Sequence, residues 1–299
     1  MPWMLHRNNL DGPEKLKTLL KKPGITMVPG VHNALTGMMA KKVGFNCLYV
    51  SGAAFSAAQG LPDLGYFTVD ELAMYVRQLY RVTDLPLIVD VDTGFGEVLH
   101  LLRTVIELEE AGAAAIQMED QKLPKKCGHV EGKELITADE MCRKIESFKK
   151  NRKSLLMVAR TDAHAILGQE EAIKRAKMYV NAGADIIFPE ALKTEEEFKE
   201  FSKEVKAPLL ANMTEFGKTP YFTAKQFEEW GYKIVIYPVT TLRSSMKAAE
   251  NVLTAIKETG TQKSQLDQMQ TREELYELID YYGYTNYDTE ISSMKMNEK

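Results

Sequence analysis

Eight short apolar, β-branched runs recur along the chain, at residues 27–31, 47–52, 86–92, 114–120, 155–162, 184–190, 208–213 and 233–239. They are continuously apolar rather than alternating, so each reads as a strand buried on both faces, as in a parallel sheet. Helix-like segments lie between them, at 68–82, 98–111, 137–149, 170–182, 194–204 and 223–230. Thr68, Thr137 and Thr194 each precede acidic residues, the pattern of an N-cap at a helix start. Ala-Gly-Ala stands at 111–113 and again at 182–184, each just before a strand, where Gly suits a helix C-cap. Eight strand–helix units in succession predict an α/β fold of the (β/α)8 TIM-barrel type. No Pro/Gly/Ser-rich linker or short repeat interrupts them, which predicts one domain over 1–299. Residues 244–299 form a C-terminal helical arm and tail. A helix is expected at 271–282 and a polar tail at 283–299. Leu275, Leu278, Ile279 and Tyr282 give that segment an apolar stripe. It is either a frayed appendage or an arm that docks on the barrel or on a neighbouring subunit.

Hydrophobic residues make up 44% and charged residues 27%, which excludes disordered and fibrous classes. The formal net charge of −4 gives no basic signature of a nucleic-acid binder. No segment approaches the roughly 18–20 apolar residues of a membrane span, and the N-terminus lacks the apolar run of a signal peptide. Three cysteines without framework spacing suit a reducing cytoplasm.

A barrel of this type carries its site at the C-terminal strand ends. Here those ends are polar: Tyr49 and Ser51-Gly52, Asp90 and Asp92, Glu119-Asp120, Arg160 and Asp162, Glu190, Asn212 and Thr214, with Arg243 after the eighth strand. Salt bridging explains any one of them, but not the whole set. Asp90 and Asp92 are two apart and are expected on one face of the third strand. Paired carboxylates repel unless a cation neutralises them, and Glu119 adds a third. Oxygen ligands without His or Cys favour Mg2+ or Mn2+ over Zn2+. Asp63, in the loop after the second strand, could assist through water. Arg160 and Arg243 read either as a rim ion pair or as a bidentate clamp for a substrate carboxylate.

Residues 121–133, after the fourth strand, form a loop with Gly128 and Gly132 as hinge candidates. Cys127 lies there beside Lys126 and His129, cations that would favour its thiolate. Such a loop over the polar strand ends could act as a lid. Cys47, inside a strand, and Cys142, on a helix, are expected to be buried and inert.

Lys125-Lys126-Cys127-Gly128-His129 is similar to the signature of the isocitrate lyase and phosphoenolpyruvate mutase superfamily. The likeness extends over 49–53, Gly60-Leu61-Pro62-Asp63, 89–96, Glu119-Asp120, 157–162, Phe188-Pro189-Glu190, 212–217, Gly260-Thr261-Gln262-Lys263 and Met269-Gln270-Thr271-Arg272. The length resembles the short lyases of the superfamily, without the insertions of isocitrate lyases. The resemblance implies Mg2+ on Asp90 and Asp92, with Asp63 and Glu119 helping through water. It implies substrate contacts from Ser51, Gly52, Ala53, Cys127, Gly128, Arg160, Glu190, Asn212, Met213, Thr214, Arg243 and Arg272. Ala53 departs from the Gly that bacterial relatives often have.

The expected substrate is a small polycarboxylate, 2-methylisocitrate, cleaved to pyruvate and succinate. By the same resemblance Tyr49 would be the base, and Cys127 would be the acid. Arg160 would stabilise charge, and His129 and Lys126 would set the thiol's pKa. Tyr49 is otherwise a core tyrosine. Family members commonly form tetramers that exchange a C-terminal helix, which implies a homotetramer. The alternatives are isocitrate, dimethylmalate or oxaloacetate/phosphonopyruvate chemistry, and, in a different class, a non-catalytic metabolite-binding barrel.

Overall fold

The computed structural model describes residues 3–5, 9–128 and 130–294. The chain divides into two compact units, Leu10–Leu242 and one built from the segment that starts at Arg243 with the N-terminal residues. In the first unit the strands are β1 Thr26–Pro29, β2 Leu48–Val50, β3 Leu87–Asp90, β4 Ala115–Glu119, β5 Leu156–Thr161, β6 Ile186–Pro189, β7 Leu210–Asn212 and β8 Ile234–Tyr237. The helices are α1 Gly12–Lys21, α2 Ala34–Val43, α3 Gly52–Ala58, α4 Val69–Thr83, α5 Val98–Ala111, α6 Ala138–Asn151, α7 His164–Leu167, α8 Gln169–Ala182, α9 Glu195–Glu204 and α10 Ala224–Glu229. All strand pairs are parallel, in the orders β1-β8-β7 and β2-β3-β4-β5-β6. The parallel bridges Gly30↔Tyr49 and Ile187↔Leu209 join the two groups at both edges, so the eight strands close into a (β/α)8 barrel.

Alternation along each strand sorts the core into two shells. Val28, Cys47, Tyr49, Ile88, Ala115, Val158, Phe188, Leu210 and Ile236 share one buried cluster inside the barrel, to which α1 adds Leu16. Leu48, Val50, Val89, Ile116, Met118, Met157, Ala159, Ile187 and Val235 belong to the outer cluster shared with the helices. Both faces are buried, which is why the runs look continuously apolar. Thr68, Thr137 and Thr194 each cap a helix in a full capping box with Glu71, Glu140 and Glu197. Gly112 and Gly183 end α5 and α8 in the left-handed conformation, at φ 96° and 118°.

The strands stop short of the expected runs, and this matters for the site. β2 ends at Val50 because Ser51 turns to cap α3, accepting from Ala54 N–H at 3.3 Å. Tyr49 is therefore inside the strand rather than at its end. β3 ends at Asp90, and Asp92 lies beyond it with φ 50°. Strand alternation does not hold the two aspartates together, contrary to expectation. A local turn does, in which Asp92 N–H donates to Asp90 Oδ1 at 3.1 Å.

In the C-terminal unit α11 spans Thr240–Thr259, α12 Arg272–Leu278 and α13 Tyr281–Ser293. The helix expected at 271–282 is broken at Asp280, which takes φ 54°, and the expected polar tail is helical to Ser293. Tyr276 and Tyr281 stack across the break with centroids 4.3 Å apart. No residue of α11, α12 or α13 is buried. Among the described residues no helix is long and apolar enough to cross a membrane.

Candidate active site

Asp90, at the end of β3, is the anchor of the mouth. Its carboxylate accepts from Gly52 N–H at 3.1 Å, Asp92 N–H at 3.1 Å and Gln117 Nε2 at 3.2 Å. Gly52 opens α3, so the N-terminus of that helix faces this carboxylate. A Cβ on Gly52 would lie 3.1 Å from both Asp90 Oδ2 and Asp92 Oδ1, which reserves the position for glycine. Gln117, on β4, also accepts from the Tyr49 hydroxyl, so Tyr49 is linked to Asp90 through one side chain. Burial, and then the nearby Asp90 charge, hold the Tyr49 phenol well above its ordinary pKa.

Lys125 reaches into this centre from the loop. Its buried ammonium lies 2.5 Å from Asp63 Oδ1 and 2.6 Å from Asp92 Oδ1. Around it Asp63, Asp90, Asp92, Glu119, Asp162 and Glu190 outnumber the cations Lys125, Lys133 and Arg160. Asp92 is pushed up to about 7, chiefly by burial and then by Asp90, against the pull of Lys125. Burial likewise raises Glu119 well above the carboxylate range. Asp92 Oδ2 and Glu119 Oε1 are buried without a hydrogen-bond partner. Among the described residues, no three His, Cys, Asp or Glu side chains converge in metal-ligating geometry. Two direct carboxylates, unpartnered oxygens and excess negative charge fit a hard divalent cation that keeps much of its water.

Arg160, on β5, is gripped by carboxylates. It donates to Asp162 at 2.9 and 3.1 Å, and its Nη1 lies 3.3 Å from both Glu119 and Glu190. The ion-pair reading is thus realised for Arg160, with carboxylates at its own and the neighbouring strand ends. Asn212 Nδ2 lies 3.4 Å from both Glu190 oxygens. Asp120 turns the other way and accepts from Thr161 Oγ1, Asp162 N–H, Arg175 and Tyr179 at 2.7–3.1 Å. It braces the backbone between β4 and β5.

The cysteine loop meets this mouth at Gly128. A Cβ there would come within 2.5 Å of Arg160 Nη2 and of Glu190 Cγ. Cys127 itself is exposed and free. Lys126 donates its ammonium to Gly132 O at 2.8 Å, and His129 lies outside the described residues. Gly132 has φ 77°, as a turn glycine should, whereas Gly128 is held by close approach instead. Cys47 is buried as expected, which pushes its thiol up to about 12, but Cys142 is only half-buried. Met213 is buried and its sulfur accepts from Phe222 N–H at 3.2 Å. Ala53 is half-buried in the first turn of α3, and Thr214 half-buried beyond β7. Arg243 and Arg272 belong to the C-terminal unit, in the first turns of α11 and α12.

Three participants were not singled out from sequence: Lys125, Gln117 and Lys133. Gln117 carried a signal, being a polar residue two before Glu119 in an apolar strand. Lys125 stands in the quoted signature without a role assigned to it, and Lys133 carried no signal beyond its place in the loop, because lysine is ordinarily solvated.

A closed parallel barrel with this charged, largely buried mouth belongs with the (β/α)8 enzymes that act on small anions. The phosphoenolpyruvate phosphomutase family model matches residues 16–257. The 2-methylisocitrate lyase of Aeropyrum pernix is 55% identical over 96% of this chain and 94% of its own. That of Bacillus subtilis is 50% identical over 98% of both chains. A structure of phosphonopyruvate hydrolase with oxalate and Mg2+ superposes with a TM-score of 0.84, at 28% identity, over 93% of this chain and 98% of that one. The chain belongs to the phosphoenolpyruvate phosphomutase family, in its branch of 2-methylisocitrate lyases, and is a carbon–carbon lyase.

Proposed function

We propose that this lyase cleaves 2-methylisocitrate into pyruvate and succinate with Mg2+ as its cation, a step of propionate breakdown through the methylcitrate cycle. One juxtaposition carries the reading. The Asp90–Asp92 centre and Arg160 meet the loop that bears Cys127, in a chain 55% identical to a 2-methylisocitrate lyase. Asp90 and Asp92 would hold the cation, with Asp63 and Glu119 assisting through water. When bound, Mg2+ supplies charge that acidifies the substrate's C2 hydroxyl, orients the adjacent carboxylate and offsets the carboxylates around Tyr49. Mn2+ would serve the same oxygen ligands.

By family likeness Tyr49 would take the C2 hydroxyl proton while the C2–C3 bond breaks and the pyruvate carbonyl forms, against the burial and the Asp90 charge that favour its neutral phenol. Its tie through Gln117 to Asp90 fixes where the phenol oxygen sits. The departing electron pair makes the enediolate form of succinate, and Arg160 stabilises that charge. Cys127 protonates the carbon to complete succinate, with His129 and Lys126 as the groups that tune it. Ser51, Gly52, Ala53 and Gly128 would supply short contacts to substrate oxygens, with Glu190, Asn212, Met213 and Thr214 opposite. Arg243 and Arg272 are assigned to substrate by family likeness alone.

Purified chain supplied with 2-methylisocitrate and Mg2+ is expected to yield equimolar pyruvate and succinate, and chelation should stop the reaction. Release of glyoxylate from isocitrate at an equal or higher rate would favour the runner-up. A methyl pocket discriminates by only about 1–3 kcal/mol, so the two rates must be compared directly. Oxaloacetate serves as the third substrate, and its preferential turnover would overturn the assignment.

The three C-terminal helices bury no residue, although α11 alone has 20 residues. We propose that they pack across subunits of a homotetramer located in the cytoplasm. Sedimentation at micromolar concentration should give four times the 33.8 kDa chain mass. A monomer would exclude the arrangement.

A further inference from the structure

We infer that Lys133 is the latch of the cysteine loop, a positioning residue for Cys127; the inference rests on the proposed lyase reading. The Lys133 side chain is 2% exposed and its ammonium lies 2.9 Å from Asp162 Oδ1, itself fully buried. The same ammonium donates to the carbonyl of Gly128, the residue after Cys127. Burying an ammonium is costly unless it is paired and hydrogen-bonded, and here both conditions are met by groups of the site.

Asp162 is fixed independently. Arg160 grips its side chain at 2.9 and 3.1 Å, and Asp120 Oδ1 accepts from its N–H at 2.9 Å. Lys133 therefore ties the loop backbone to a rigid point just beyond the end of β5. The base of the loop is held separately, by the Gln121↔Leu135 bridge and by Lys122 N–H to Glu134 O at 2.8 Å. Val130 N–H to Cys127 O at 3.0 Å is internal to the loop and anchors nothing to the barrel. Gly128 also packs on Arg160 and Glu190, but without a side chain it offers little grip. On the other side Lys125 is paired with Asp63 and Asp92, and the Gln121 side chain bonds both backbone groups of Lys126. Removing Lys133 thus loosens the stretch that starts at Cys127 while leaving 121–126, the base and the acidic centre in place. A loosened loop presents the Cys127 proton donor at the wrong distance, which slows the chemical step more than it weakens binding.

The test is Lys133→Met, read by hydrogen exchange across the chain and by kcat and KM separately. Exchange of 127–133 should rise at least about tenfold with the loop base and the barrel strands unchanged, because a local opening need not involve the core. On 2-methylisocitrate, kcat should fall by about 10²-fold with KM within about threefold, the scale of an ångström-sized misplacement. Lys133→Arg keeps the charge on Asp162 and should recover much of both losses. If Lys133→Met does not fold, Lys133→Gln is read in the same two ways. Unchanged loop exchange and kcat in a folded variant overturn the latch. So does exchange that rises equally in loop and strands, which marks a structural ion pair only. Should the parent chain fail to cleave 2-methylisocitrate, the function reading falls, and loop exchange alone decides whether Lys133 latches.

Discussion

Cys127→Ser is expected to slow turnover by about 10²–10⁴-fold, or roughly 3–5 kcal/mol of barrier, with little change in substrate affinity. Serine keeps the shape of cysteine but is a far weaker acid, so delivery of the proton to the succinate carbon fails. On the proposed reading affinity would rest on other groups: a cation at Asp90 and Asp92, and the guanidinium of Arg160. Cys127 is exposed and unpaired, so its thiol should react with alkylating agents in the free enzyme, whereas buried Cys47 should not. Pyruvate with succinate should protect it as the loop closes. Near-parental turnover of the serine variant would move the acid elsewhere, with Glu190 and His129 the next to test.

Asp90→Ala should have the larger effect, a loss of cation-dependent turnover of at least about 10³-fold, since a bound cation supplies several kcal/mol of transition-state stabilisation. The same change leaves Gly52 N–H, Asp92 N–H and Gln117 Nε2 without their acceptor. Asp90→Asn is therefore the cleaner probe. It keeps an acceptor oxygen for those donors and removes the charge. Calorimetry should show Mg2+ binding abolished or greatly weakened in both variants, while thermal melting of the asparagine form stays close to that of the parent. Full activity of either variant in chelator-treated buffer would sink the assignment of the cation to Asp90 and Asp92.

The eight strands were legible in sequence because a sheet buried on both faces leaves continuous apolar runs. Thr68, Thr137 and Thr194 marked helix starts because capping is local chemistry, satisfied within four residues. The polar residues at the strand ends stood out against those runs, so Asp90, Glu119, Arg160 and Glu190 could be named before any fold was known. The helix beyond the break at Asp280 was not legible, since Gly283, Thr285, Asn286, Asp288 and Thr289 are poor helix formers.

Sequence by itself determined the barrel and which polar residues stand at its strand ends, because both follow from periodicity and residue type over short spans. Tertiary structure alone decided how the charges are shared. Lys125 binds Asp63 across 62 residues of chain, and Lys133 binds Asp162 across 29. No local pattern encodes such pairs. A lysine in a polar loop looks solvated until the fold closes over it, and only burial makes its partners obligatory. The turn that places Asp92 beside Asp90, and the contact of Gly128 with Arg160, likewise depend on backbone geometry that residue spacing does not specify.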